Sequence, residues 1–260
     1  MPKLDRVSIY PIKSLDGLVV SQAEVLSSGA LRGDREFAIV DAQGNFVNAK
    51  RNPSVHLLRA RFDLVQRFVY LNHQNSDCPE VCFHLDERRE AIAAWLSEFF
   101  GMTVQIVQNL EMGFPDDPKS PGPTVVSTAS LQAVADWFPE LTLDQTRLRF
   151  RTNLEFGDVP AFWEDRLFST EGNVVKFQIG NVRIHGINPC QRCPVPTRDP
   201  LTGEVYANFQ KIFVSQRRET LPTEVERSRF NHFYRLTVNT QIPASEAGKI
   251  LRVGDAIEIL

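Results

Sequence analysis

Long apolar runs, charge tracts of one sign and glycine-rich phosphate loops are all absent from this 260-residue chain. No apolar segment approaches the ~18 residues that a membrane-spanning helix requires. Twenty-nine basic residues against 32 acidic ones leave a formal charge of -3 with no Lys/Arg cluster, which argues against nucleic acid as a main partner. Neither GxGxxG nor GxxxxGK followed by Ser or Thr occurs, so the usual Rossmann and P-loop nucleotide sites are not expected. Cysteine is scarce, at four residues, and the start Met1-Pro2-Lys3-Leu4-Asp5 lacks the apolar core of a secretory signal. The expectation is a cytoplasmic protein whose thiols are reduced or metal-bound rather than paired in disulfides. Repeats and low-complexity segments are missing too. A hydrophobic content of 42% is enough for one large or two small domains without covalent staples.

The pattern that is present reads as α+β, mainly β. Short alternating runs at Arg6–Tyr10, Val19–Leu26, Glu36–Val40, Leu57–Leu64 and Phe68–Leu71 predict strands, with a hairpin turn at Asp41–Gly44 returning through Asn45–Asn48. Such spacing suggests a barrel or sandwich rather than alternating βαβ units. A helix follows, N-capped by Asp86, carrying Ile92, Trp95, Leu96 and Phe99 on one face and ending before Gly101. Residues 112–123, rich in Pro, Asp and Gly, predict a linker, which divides the chain into 1–115 and 116–260. A second helix is expected near Thr128, and strands at 148–156, 174–179, 182–185, 234–238 and 256–260, with helix at 207–215.

Pro189-Cys190-Gln191-Arg192-Cys193-Pro194 is the segment richest in chemistry. An adjacent guanidinium favours thiolate over thiol, a thiolate is a soft metal ligand, and the prolines fix the backbone that presents it. Three readings fit the cysteines. With Cys78, Cys82 and His84, two pairs of thiols suit a structural zinc site, although a buried Cys82 acting as a small hydrophobe is the simpler account of its apolar setting. A redox dithiol at Cys190/Cys193 is weakened by the prolines, which oppose the helix start such a pair normally occupies. A single metal-ligand thiolate is the third.

Basic residues gather at strand ends. Lys13 and Ser14 follow one strand, Arg35 enters another, and Arg147, Arg149 and Arg151 alternate as if on one face of a third. Arg suits bidentate phosphate contacts and Lys a point charge, whereas a solvated basic face is the plainer account of any one of them. Combined with a soft thiolate, they suggest a phosphate-bearing cofactor that brings a metal. The five histidines (His56, His73, His84, His185 and His232) are scattered, and no Ser/His/Asp set is visible.

In order and spacing, Tyr10-Pro11-Ile12-Lys13-Ser14, Gly33-Asp34-Arg35, Val126–Ser130, Phe150-Arg151-Thr152-Asn153, Pro189–Cys193, Asp199–Gly203 and Leu251–Asp255 resemble the MOSC-domain proteins preceded by their N-terminal β-barrel domain. The resemblance is to the branch that includes the amidoxime-reducing components and the bacterial N-hydroxylaminopurine-detoxifying molybdoenzymes, and it covers nearly the whole chain. It implies an N-terminal β-barrel-like domain, a MOSC β-barrel domain with a few peripheral helices, and a molybdenum cofactor. By the same matching, Cys193 is the metal ligand, with Cys190 packing the loop. Lys13, Ser14, Arg35, Arg151 and Asn153 contact the cofactor, Gln191 and Arg192 flank the metal, and Ser127 is a further cofactor contact. Asp199 delivers protons or simply forms a turn before Pro200. The implied chemistry is two-electron oxygen-atom removal from a small N-hydroxylated substrate. The implied electron donor is a separate ferredoxin-, flavin- or cytochrome-type protein, because no further cysteines follow before Leu260. A cofactor-binding or persulfide-carrying protein without turnover is the alternative. Two departures stand out: Thr152 replaces the Pro usual in relatives, and Phe230-Asn231-His232-Phe233 stands where they have Phe-Gly.

Overall fold

Lys3–Ile9 (β1) begins the chain with Leu4, Val7 and Ile9 buried, and the molecule is organised around where that strand goes. The computed structural model describes residues 1–74 and 79–260. In chain order the first half contributes β2 (Leu18–Val20), β3 (Gln22–Glu24), β4 (Phe37–Asp41), β5 (Leu58–Asp63), β6 (Phe68–His73), β7 (Val81–His84), α1 (Arg89–Phe100) and β8 (Val104–Gln108). The second half contributes β9 (Val125–Ser127), α2 (Thr128–Asp136), α3 (Leu143–Phe150), β10 (Leu154–Gly157), β11 (Val175–Ile179), β12 (Val182–Gln191), α4 (Phe209–Glu219), β13 (Arg235–Gln241), β14 (Ile250–Arg252) and β15 (Ile257–Ile259).

The largest sheet has eight strands in the order β15-β11-β12-β13-β9-β10-β1-β2. β1 thus joins the second half by antiparallel pairing with β10, and β3 joins it by pairing with β14. The apolar cores follow suit. One unites Leu4, Val7, Ile9, Val25 and Leu31 with Val125, Phe156, Phe177 and Val238; a second holds the β4–β8 region and α1; a third packs α2, α3 and α4. The cores therefore do not follow a boundary at 115/116, although residues 109–124 do carry no regular element.

The expected barrels do not close among the described residues. The first-half strands form separate β4-β8 and β5-β6-β7 ladders, and the large sheet is an open series. Its two ends come near each other where Lys3 bridges Ala256 and the Leu4 amide donates to the Asp255 carbonyl at 2.8 Å, without a continuous ladder.

Several local expectations change. Arg88, not Asp86, precedes α1; Asp86 is drawn off as a bidentate partner of Arg67, both nitrogens at 2.8 Å. Gly101 does end α1, at a φ of 64 that a Cβ would strain. Residues 148–150 are helical rather than the start of a strand. The cause is local: Thr142 and Gln145 form a reciprocal capping box that starts α3. Arg147, Arg149 and Arg151 consequently lie on a helix and its end, and do not share a face. β12 runs on through Cys190 to Gln191, so the first cysteine sits on a strand end. Cys82 is exposed, not buried, because β7 is an edge strand whose Cys82 position faces outward opposite Tyr70. Cys78 lies outside the described residues, so the four-cysteine zinc arrangement is not described in full; no group of three or more His, Cys, Asp or Glu is poised around a metal position among the described residues. No described helix is long and apolar enough to cross a membrane.

Candidate functional site

Where the two halves meet, three backbone positions adopt the left-handed region that non-glycine residues rarely use: Ser14 at φ 77, Arg35 at φ 50 and Arg151 at φ 50. Backbone hydrogen bonds hold the segments that carry them. The chain leaving β1 passes Tyr10, whose carbonyl accepts the Arg35 amide at 2.7 Å, and Lys13 then donates its amide to Phe37. Arg151 is the C-cap of α3, its amide bonded to the Arg147 carbonyl at 2.9 Å. Strained positions of this kind cluster at functional sites, where the surrounding structure over-determines them.

These turns open on a cavity of about 560 Å³. It brings together Lys13, Ser14, Arg35, Arg151 and Asn153 with Gln191, Arg192 and Cys193, eight of the residues singled out from the sequence. Cys190 lines it as well. Ser127 and Asp199 do not. Ser127 is fully buried as the N-cap of α2, its hydroxyl accepting the Ser130 amide at 3.0 Å. Asp199 folds back on its own loop, accepting the Leu201 and Thr202 amides at 2.9 Å each, and lies 3.6 Å from Arg149. Lys50, Arg149 and Arg235 also reach the cavity; no sequence signal marked Lys50 or Arg235, since neither sits in a distinctive motif.

Positive charge exceeds negative in these walls. Seven Lys and Arg side chains face three aspartates, Asp34, Asp116 and Asp117. Two of the cations are paired: Arg35 with Asp34, and Lys13 with Asp116 at 2.6 Å and the Phe114 carbonyl at 2.9 Å. The Arg151 guanidinium has no hydrogen-bond or ion-pair partner among the described residues; it lies 4.2 Å from the centre of the Tyr10 ring, with the Arg35 guanidinium at 5.3 Å from the same ring. Burial pushes the pKa of Lys13, Arg149, Arg151 and Arg235 below their ordinary values. The buried Nε atoms of Arg149, Arg192 and Arg235 have no partner among the described residues. Unpartnered, desolvated cations are costly, and an anion seated among them would relieve that cost.

The cysteines occupy one wall. Arg192 Nη1 donates to Cys190 Sγ at 3.4 Å and Nη2 to the Phe150 carbonyl at 2.7 Å, so one guanidinium ties β12 to the end of α3. Opposite Cys190 the β12–β13 register slips, Pro189 facing Val238 and Gln191 facing Arg235. Thr237, buried at 3% exposure, takes φ 73 in that irregularity, an unusual conformation for a β-branched residue. Bulges re-aim side chains, and here those on either side, Cys190 and Arg235, both face the cavity. Asn153 fixes the opposite wall: its Oδ1 accepts the Thr124 amide at 3.2 Å and its Nδ2 donates to the Ser8 carbonyl at 3.1 Å, locking β1 against β10.

Comparison with known proteins agrees with this two-part construction. Residues 1–103 match the MOSC N-terminal beta barrel domain and residues 123–258 match the MOSC domain. Human molybdenum cofactor sulfurase is 26% identical over an alignment taking in 82% of this chain, which spans 28% of the human protein. Mitochondrial amidoxime-reducing component 1 of Mus musculus is also 26% identical, over 97% of this chain and 80% of the mouse protein. The crystal structure of the YUAD protein from Bacillus subtilis aligns with 99% of this chain and 95% of its own at 13% identity, with a TM-score of 0.40. With both domain models matched in order along its length, the chain belongs to the MOSC family and carries the MOSC N-terminal domain ahead of the MOSC domain.

Proposed function

We propose that the cavity holds a molybdenum cofactor and that the protein reduces small N-hydroxylated compounds, with electrons delivered by a separate ferredoxin-, flavin- or cytochrome-type donor. The observation that carries this reading is the excess of cations over carboxylates around a soft thiol, with the Arg151 guanidinium and the Nε atoms of Arg149, Arg192 and Arg235 left without partners among the described residues. The volume of about 560 Å³ suits a ligand of pterin size. The residues fit the group chemically: Cys193 offers the thiolate a soft metal prefers, and Lys13, Ser14, Arg35 and Arg151 offer charge and hydrogen bonds to a phosphate. Likeness to an amidoxime-reducing component over nearly the whole chain supports the choice of reaction.

When bound, the cofactor supplies the two-electron chemistry that converts N–OH, two electrons and two protons into N–H and water. The chain's own residues bind and orient. Arg192, braced on Phe150 and Cys190, fixes the β12 end that presents Cys193, and Gln191 flanks it at the cavity wall. Asn153 keeps β1 and β10 at fixed separation, so Lys13 and Arg35 from one segment and Arg151 from another stay in register. Asp199, outside the cavity walls, is assigned to the loop rather than to proton delivery.

Metal analysis of protein from a molybdenum-replete host is the test. About one molybdenum per chain, lost in Cys193→Ala and kept in Cys190→Ala, is expected, together with reduction of benzamidoxime by chemically reduced protein. Zinc without molybdenum would sink the proposal. Molybdenum without turnover, with labelled sulfur on Cys193 exchangeable by thiol, would instead identify a sulfur carrier.

A further inference from the structure

Behind the main cavity, and sharing Ser14, Arg149 and Arg151 with it, lies a second space of about 40 Å³. It is built from both halves of the chain. A 3₁₀ turn at Pro53–Leu57 brings His56, β5 brings Arg59, α3 and its C-cap bring Arg149 and Arg151, and the loop after Cys193 brings Arg198. Gly203, at φ 76, makes the turn that brings that loop against the His56 side chain.

The charges around this annex are unbalanced. Four arginines and a histidine meet one lining carboxylate, Asp16, which is 3.4 Å from Arg59 and already accepts the Ala60 amide at 2.9 Å. Asp199, 3.6 Å from Arg149, spends its other oxygen on two amides of its own loop. Arg59, Arg149 and Arg198 satisfy part of their donors on the carbonyls of His56, Pro196, Arg198, Pro200 and Gly203. Arg59 Nε, Arg149 Nε and His56 Nε2 remain buried and without partners among the described residues, in a histidine 7% and an Arg149 5% exposed. The guanidinium nitrogens are obligate donors, so water alone leaves the charge uncompensated. The volume admits about one or two water-sized groups, too little for a cofactor fragment.

We propose that this annex is a binding site for one small monovalent anion of halide or nitrate size. It stands independently of the cofactor reading, because Arg59, Arg198 and His56 do not line the main cavity. An anion held there neutralises part of the charge that Arg149 and Arg151 otherwise present to the larger space.

Chlorine NMR line width, measured on the full chain from a molybdenum-replete host at constant ionic strength with gluconate as the bulky counterpart, tests the site. Saturable broadening is expected, displaced by nitrate and weakened at least tenfold in both Arg59→Met and Arg198→Met. Lys50→Met, which alters only the main cavity, should leave it intact. Absence of saturable broadening, or broadening lost in Lys50→Met and kept in both annex variants, overturns the proposal. Anomalous density from bromide in crystals of the unaltered protein decides the same point should the variants not fold: a peak beside Arg59 supports the site, and an annex without one overturns it.

Discussion

Glu164 and Asp199 are carboxylates in contrasting surroundings, one buried under a helix start and one folded onto its own loop. Glu164 is 1% exposed; its Oε2 accepts the Ser127 amide at 3.2 Å and the Ser130 hydroxyl at 2.9 Å, while Oε1 has no partner among the described residues. Burial, and then the neighbouring Asp165, push its carboxyl up from 4.5 to about 7. A group raised on folding holds a proton that the unfolded chain has released. Its contribution is therefore complete below about pH 4.5 and disappears as pH rises through 7, a decline on the order of 3 kcal/mol. Urea unfolding across this range should show that decline, and Glu164→Gln should flatten it; an unchanged slope in the variant would refute the assignment. Asp199 acts through hydrogen bonds to its own loop. Asp199→Ala should cost about 1–2 kcal/mol in the same assay and leave bound metal unchanged.

At the scale of elements, β12 depends on a close approach that its sequence announces only as a glycine. A Cβ on Gly186 would stand 1.7 Å from the Leu167 carbonyl oxygen, which belongs to the 3₁₀ turn Trp163–Leu167. Backbone cannot yield as a flexible side chain does, so Gly186→Ala is expected to cost about 3 kcal/mol or more, read as a lowered thermal midpoint. The same turn carries Glu164 and Asp165, and Asp165 pairs at 2.5 Å with Arg217 of α4, whose guanidinium lies between Phe162 and Phe230. β12, the turn and α4 are thus one packed unit beneath the cysteines. Helix and strand types were legible wherever spacing was unambiguous, as in α1 and β11. They failed at 147–151, where alternating arginines imitate a strand and the capping box upstream decides for helix.

For the molecule as a whole, the two matched domains are not two separable bodies of packing. Leu4, Val7 and Ile9, each at most 2% exposed, complete the core of the second half, and β1 supplies the partner of β10. A fragment of residues 116–260 would leave that apolar surface and the edge of β10 uncovered. It is expected to show no cooperative thermal transition by circular dichroism, whereas adding residues 1–115 in trans or in cis restores one. A fragment that unfolds cooperatively on its own would show the second half to be self-sufficient.

Residue order alone specifies the mainly β character, the placement of α1 and α2, the family, and the short motifs whose residues line the cavity. These follow from local periodicity, turn chemistry and residue type, which neighbours along the chain largely settle. Tertiary structure decided which cations converge. Arg149 and Arg151 required a helix end, Arg235 a bulged strand and Lys50 a loop from the other half, and none of these positions is specified by its neighbours in sequence. It also decided against Ser127 and Asp199 as cavity residues, since a hydroxyl or carboxylate is taken by whichever amide groups folding brings within reach.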